Sequence, residues 1–267
     1  MHEGIAIHLA PEALFHIGDF PITNTLTTTV TVSLLLIAFA YVAGRALKLK
    51  PGKFQAVLEL MIMYPYDFVR ETLQNDKVAL RIYPIIMTIF LLVLFQNWFG
   101  LLPITESIPY FYSAATDLNF TLALALIAFV TIEFFGIATL GALKYGNKFI
   151  TFKSPMAFVV GGIELISEIA RVITFAFRLF GNIFAGKVLI LVIMFFVPLI
   201  LPVPFLAFEV FVGFIQAVIF ALLTLFFTKI AIEMHPPERP ESSGRAGEEH
   251  EGEEGRPFDG AQGKLAT

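Results

Sequence analysis

Arg178 lies inside Ile173-Thr-Phe-Ala-Phe-Arg-Leu-Phe-Gly-Asn-Ile-Phe-Ala-Gly-Lys-Val-Leu-Ile190, a permanent cation in a long apolar stretch. A guanidinium does not give up its proton in a protein. At bilayer depth it costs about 2.5–3.5 kcal/mol on insertion scales, so something must offset it. Two chemistries would do so. Arg178 can meet an anionic or titratable group in a wet cavity, or it can form a structural ion pair with Glu164 or Glu168 of the same segment.

The neighbouring residues favour the first. Each helical residue advances about 100°. Glu164, Arg171 and Arg178 are seven apart and share a face, which Gly181, Asn182 and Ala185 extend. Small residues there leave room for a foreign surface to approach closely. Lys187, nine residues beyond Arg178, falls on the opposite side. In the last apolar segment Glu209, Gly213 and Gln216 make one polar stripe.

If the two segments run antiparallel, Arg178 and Gln216 fall near mid-depth, with Lys187 and Glu209 toward the outer side. Glu164 and Glu168 fall toward the cytoplasm, about 15–21 Å from Arg178 along the axis. Polar groups then run from both faces toward one central cation, as an ion path with a barrier in its middle requires. The alternative is that each polar residue caps or pairs locally, and Glu133 is read that way. Lys187 either pairs with Glu209 or extends outward to the membrane interface.

The elements that would position these groups follow from composition. The 267 residues are 57% hydrophobic, too apolar for a soluble domain of this size. There is no cysteine, which excludes disulfides and thiolate metal sites, and the five histidines have no ligand spacing, so no metal and no cofactor is expected. No secretory signal peptide is read at the start. No basic patch interleaved with aromatics is present, which argues against nucleic acid as a partner. No phosphate-binding loop occurs, so ATP chemistry is not expected on this chain.

About 20 apolar residues cross a bilayer as a helix. Charge-poor windows give spans at about 26–45, Ile82–Thr105 and Leu118–Leu143. Residues 157–197 form a long stretch broken by Pro198, Pro202 and Pro204, and Phe205–Glu233 forms the last. The expected fold is an all-α polytopic membrane protein. It has about five inserted segments, the last two a long antiparallel pair. Residues 53–81, with Phe54, Val57, Leu58, Met61 and Phe68 at near-helical spacing, suit an amphipathic helix on the cytoplasmic surface, bent near Pro65.

Lys and Arg cluster after the first span, before the second and after the third, and are missing from the intervening turns. The positive-inside rule then sets the N-terminus outside and the C-terminus in the cytoplasm. Residues 1–25 form an outside segment, 26–235 the membrane-embedded part, and 236–267 an acidic tail. The tail holds 4 basic and 8 acidic side chains and reads as disordered.

Four stretches then carry a resemblance. Arg178-Leu-Phe-Gly-Asn-Ile-Phe-Ala-Gly186 is similar to the signature of the subunit a family of F-type ATP synthases. Asn97-Trp-Phe-Gly-Leu-Leu-Pro103, Asp117-Leu-Asn-Phe-Thr-Leu-Ala-Leu-Ala125 and Ile163-Glu-Leu-Ile-Ser167 resemble three further family stretches, in the same order.

The resemblance implies a proton-translocating stator with two offset half-channels, facing a rotor ring of small carboxyl-bearing hairpins in the inner cell membrane. The lipid bilayer, a peripheral-stalk subunit and the rest of the ATP synthase are the implied partners. It makes Arg178 the residue that faces the ring carboxylates. It sets Asn182 and Gln216 at that interface, and Glu164 near the cytoplasmic exit.

One of the site positions departs from the pattern. Lys187 stands where relatives commonly carry Glu or His, whereas Glu209 fits a position where they commonly carry His or Glu. A secondary transporter that binds an anionic solute through Arg178 is the rival reading. A channel or a membrane scaffold is a further one.

Overall fold

The computed structural model describes residues 13–17, 20–45, 47–48, 52–102, 108, 110–146, 155–197 and 200–233. Contacts divide the chain into two units, Met1–Glu233 and Met234–Thr267, and everything described belongs to the first. The acidic tail, Pro103 and Pro198 lie outside the described residues.

A short antiparallel hairpin, β1 (Ala13–Ile17) and β2 (Phe20–Thr23), precedes the helices. An all-helical expectation had no place for it. Helix α1 (Asn24–Arg45) follows at once. Its hydroxyls bond back to the preceding turn: Thr28 Oγ1 donates to the Asn24 carbonyl (3.0 Å), Thr29 to Thr25 (2.9 Å) and Ser33 to Thr29 (2.8 Å). Such back-bonding satisfies a hydroxyl where no water is at hand.

Helix α2 (Lys53–Leu73) contains Pro65 and ends at Gln74 in the left-handed region, φ 49°. Helix α3 (Asp76–Gly100) starts one residue after Asn75, whose side chain accepts from the Lys77 and Val78 amides (3.2 and 3.3 Å). The second span therefore begins six residues before the charge-free window at Ile82. The Asn75 cap, not the last charge, sets the boundary. Arg70 and Asp76 bridge the turn between the helices at 2.6 Å.

After the 3₁₀ turn Ala114–Thr116, helix α4 (Leu118–Leu140) opens on Asp117. One oxygen of Asp117 caps the helix through the Asn119 amide (2.9 Å), and the other accepts from Thr25 Oγ1 of α1 (2.8 Å). The end of α4 is set by Gly141 at φ 85°, three residues short of the expected Leu143. Short helix α5 (Ala142–Gly146) folds Tyr145 back onto α4, so closely that a Cβ on Gly136 would overlap its ring.

Helices α6 (Pro155–Phe196, 42 residues) and α7 (Pro202–Ile232, 31 residues) form the expected antiparallel pair. Helix α7 starts with Pro202 in its first turn, where the missing amide costs nothing. Five helices (α1, α3, α4, α6 and α7) are long and apolar enough to cross a membrane.

The central core joins α3, α4, α6 and α7 through Ile89, Leu124, Phe175, Leu179 and Phe220. A second cluster joins α2, α3 and α7 through Val69, Ile86 and Leu225. Helix α2 packs through its C-terminal half, while Phe54, Val57, Leu60 and Met61 are exposed. Most α6 residues facing away from these clusters are exposed apolar side chains, such as Ile163, Ile166, Ile169 and Ile173.

Candidate functional site

The α6–α7 register is fixed by three contacts. Arg171 Cζ stands 3.9 Å from the centre of the Phe227 ring, Phe175 packs on Phe220 at 4.9 Å, and Gly186 lies against the Glu209 carboxyl. A Cβ at Gly186 would overlap that carboxyl, so only glycine admits Glu209 here. This register sets Gln216 level with Leu179, beside Arg178. Arg178 and Gln216 are thus at about the same level along the pair, the first exposed and the second buried.

Arg178 is exposed on the lateral face of α6 and makes no hydrogen bond or ion pair with the described residues. The structural ion pair with Glu164 or Glu168 is not formed. Glu168 instead pairs with Arg171, Nη1 to Oε2 at 2.6 Å, with the two side chains 16% and 2% exposed for Arg171 and Glu168. Arg178 and Arg171 line one open groove of about 300 Å³ together with Ser167, Ala170, Thr174 and Phe227. On the other side of Arg178, Gly181 and Asn182 are half-buried and Ala185 is exposed. The cation thus faces out of the chain across a surface of mostly small side chains. Glu164 is half-buried farther along α6.

At the Glu209 end the polar groups are buried. Glu209 and Gln216 are each 5% exposed, and Glu209 Oε2 and Gln216 Nε2 have no hydrogen-bond partner among the described residues. Of the two readings of Lys187, the ion pair with Glu209 is not formed. Gly186 admits the carboxyl on one side of α6, while Lys187, one residue on, points elsewhere and sets its Nζ 3.8 Å from the centre of the Tyr112 ring.

The residues preceding the α3 terminus hold α7 in place. Asn97 Nδ2 donates to the Gly213 carbonyl (3.1 Å) and Trp98 Nε1 to the Val210 carbonyl (3.0 Å). Gln96 Oε1, Asn97 Oδ1 and Ser113 Oγ add further buried polar atoms without partners among the described residues. Orphaned buried polar atoms are rare in folded proteins, and each calls for a physical reason such as a bound water or ion.

Sequence reasoning did not single out Tyr112, Asn97 or Trp98 as neighbours of the site. The Asn97-Trp-Phe-Gly stretch was visible as a motif, but its contacts with α7 needed the fold.

Behind Arg171 lies a second polar group. The Tyr145 phenol is pushed above its ordinary range by burial, then by the adjacent Glu133 carboxylate, with a smaller push from Glu168, while Arg171 pulls the other way. Glu133 is therefore engaged locally, as expected for it. Among the described residues no group of acidic and histidine side chains has metal-binding spacing.

The family described as ATP synthase A chain matches residues 25–229, most of the chain. The chain belongs to that family. An ATP synthase subunit a of Legionella pneumophila (strain Paris) is 33% identical over 235 residues, covering 87% of this chain and 95% of that protein. One from Moorella thermoacetica is 32% identical over 230 residues, covering 85% and 98%. One from Campylobacter jejuni (serotype O:23/36) is 35% identical over 193 residues, covering 72% and 83%. Family membership and five spanning helices make the chain a multi-pass membrane subunit of the ATP synthase, acting in proton transport and ATP synthesis.

Proposed function

We propose that this chain is the proton-translocating stator of the membrane motor, with Arg178 facing the carboxylates of a rotor ring. The observation that carries the reading is the state of Arg178. It is an arginine in a spanning helix, exposed sideways, without a partner among the described residues, on a surface of mostly small residues. A guanidinium cannot be neutralised by losing its proton, and none of the described residues supplies its counter-charge, which suits a carboxylate brought by another molecule. A carboxylate passing that surface would be held ionised beside the guanidinium and protonated away from it. Arg178 then acts as a barrier between two paths.

One path would use the buried groups around Glu209, Gln216 and Asn97, whose unmet hydrogen-bonding capacity suits water and protons. The other would use the groove from Arg178 toward Arg171 and on to Glu164. Asn182 would line the rotor contact. Lys187 would tune the first path. The N-terminus would be outside and the C-terminus cytoplasmic, following the basic residues at Arg45, Lys48 and Lys53. A peripheral-stalk subunit would hold the chain against rotation. ATP chemistry would belong to partner subunits, since the chain has no phosphate-binding loop.

The transporter reading needs an internal cavity around Arg178, whereas the arginine here is on the outer surface. The test is Arg178→Ala in the whole complex in membrane vesicles. ATP-driven acidification should be abolished while the complex still assembles. Normal pumping by that variant would sink the stator reading. Arg178→Lys should restore little, because an ammonium deprotonates when desolvated and lacks the planar fork.

A further inference from the structure

Two arginines of α6 line the same groove, and the chain treats them in opposite ways. They are seven residues apart, about 10.5 Å along the helix axis. Arg178 is unengaged among the described residues, whereas Arg171 is paired with Glu168 at 2.6 Å and stacked on Phe227 at 3.9 Å. Glu168 is buried at 2% exposure, so its carboxylate is committed to the chain's interior. Buried ion pairs seldom add net stability over an apolar substitute, so stability alone is a weak reason for a carboxylate here.

A free second guanidinium at the end of this groove would attract the same mobile carboxylate as Arg178. In a medium of low dielectric that attraction is strong and decays slowly. A carboxylate caught there would stay ionised and bound, and the rotor would stall. We propose that Glu168 is a positioning residue that holds Arg171 against Phe227 as a neutral pair, so that a rotor carboxylate meets one unneutralised cation in this groove, Arg178.

The proposal rests on the reading of Arg178 given above. The groups behind the pair fit the role. Tyr145 of α5 feels the charges of Glu133 on α4 and of Glu168 and Arg171 on α6, and it packs into the space left by Gly136. Lys229 of α7, two residues past Phe227, is drawn away to Glu233 at 3.7 Å.

The test uses the intact ATP synthase in vesicles, with ATP-driven acidification measured per assembled complex. Glu168→Gln frees Arg171 and should slow pumping by about ten-fold, the effect of about one unit of extra binding on a carboxylate. The double variant Glu168→Gln/Arg171→Gln should recover most of that loss. The deficit of Glu168→Gln should also shrink as pH falls, because a protonated rotor carboxyl no longer binds the guanidinium. A purely structural ion pair has no such acid relief.

Thr174, between the two arginines on the groove wall, gives a variant that leaves the buried pair intact. Thr174→Arg should pump about ten-fold more slowly than Thr174→Gln, whose bulk is similar and whose charge is absent. The inference is overturned if the double variant is as slow as Glu168→Gln, if the deficit is independent of pH, or if Thr174→Arg and Thr174→Gln behave alike. Those failures leave the stator reading standing so long as Arg178→Ala is dead. An active Arg178→Ala would remove both.

Discussion

The two ends of the α6–α7 pair handle buried charge differently. At one end Glu168 and Arg171 close on each other at 2.6 Å over the Phe227 ring. At the other, the Glu209 carboxyl is pressed onto Gly186 with one oxygen lacking a partner among the described residues, and Lys187 lies over Tyr112. A closed ion pair resists change in protonation, because either proton transfer would strand a buried charge. A carboxyl with spare hydrogen-bonding capacity invites it. On the stator reading, the first end stays fixed and the second exchanges protons.

The sharpest way to break this contrast is at Gly186. Gly186→Ala forces its Cβ into the Glu209 carboxyl, and overpacking of this kind costs about 1–3 kcal/mol. The amount of assembled complex should fall several-fold or more. Glu209→Ala in the same chain should restore assembly by vacating the space. Wild-type assembly of Gly186→Ala alone would show that the two helices are not held in this register.

Next in size is Glu209→Gln, which keeps the shape and removes the titratable group. Assembly should persist while ATP-driven acidification drops by about ten-fold, less than the roughly 10²–10⁴-fold contributed by a general acid or base at a reacting centre. Undiminished pumping at every pH tested would take Glu209 off the path.

A smaller effect is expected at Lys187. Stacking of an ammonium on an aromatic ring contributes about 0.5–2 kcal/mol. Lys187→Gln and Tyr112→Leu should each shift the pH profile of ATP synthesis modestly, and the double variant should resemble either single one. Additive shifts would mean that the contact at 3.8 Å is incidental to function.

The smallest effect belongs to the tail. Removing residues after Pro236 should leave assembly and pumping close to wild type, as the polar, acidic composition of that stretch leads one to expect. Loss of complex from the membrane would reveal a docking role instead.

The five spans were legible in the sequence because bilayer thickness and the cost of charge set both their length and their composition. Boundaries set by local capping were not. Asn75 starts α3 inside a charged stretch, and Gly141 ends α4 before the apolar residues run out. Spacing of seven put Arg171 and Arg178 on one face but could not say which was already paired. The i,i+3 relation of Glu168 to Arg171 was the available signal, since Glu164 and Glu168 lie about 15–21 Å from Arg178 along one helix, out of ion-pair reach. Contacts such as Asn97 with Gly213, or Gly186 with Glu209, depend on how three helices register, which no local pattern encodes. The β1–β2 hairpin lies in a segment with little periodicity to announce it.

Helix α6, with 42 residues, is about 63 Å long, while the hydrocarbon layer is about 30 Å thick. A straight helix confined to that layer must recline by about 60° from the membrane normal. Distance along α6 is then mostly sideways travel. The step of about 10.5 Å from Arg171 to Arg178 changes depth by only about 5 Å. On that geometry, groups that look stacked from one membrane face to the other along the chain are spread mostly sideways, in the plane of the bilayer. For a wheel turning about the membrane normal, that is the direction of its rim.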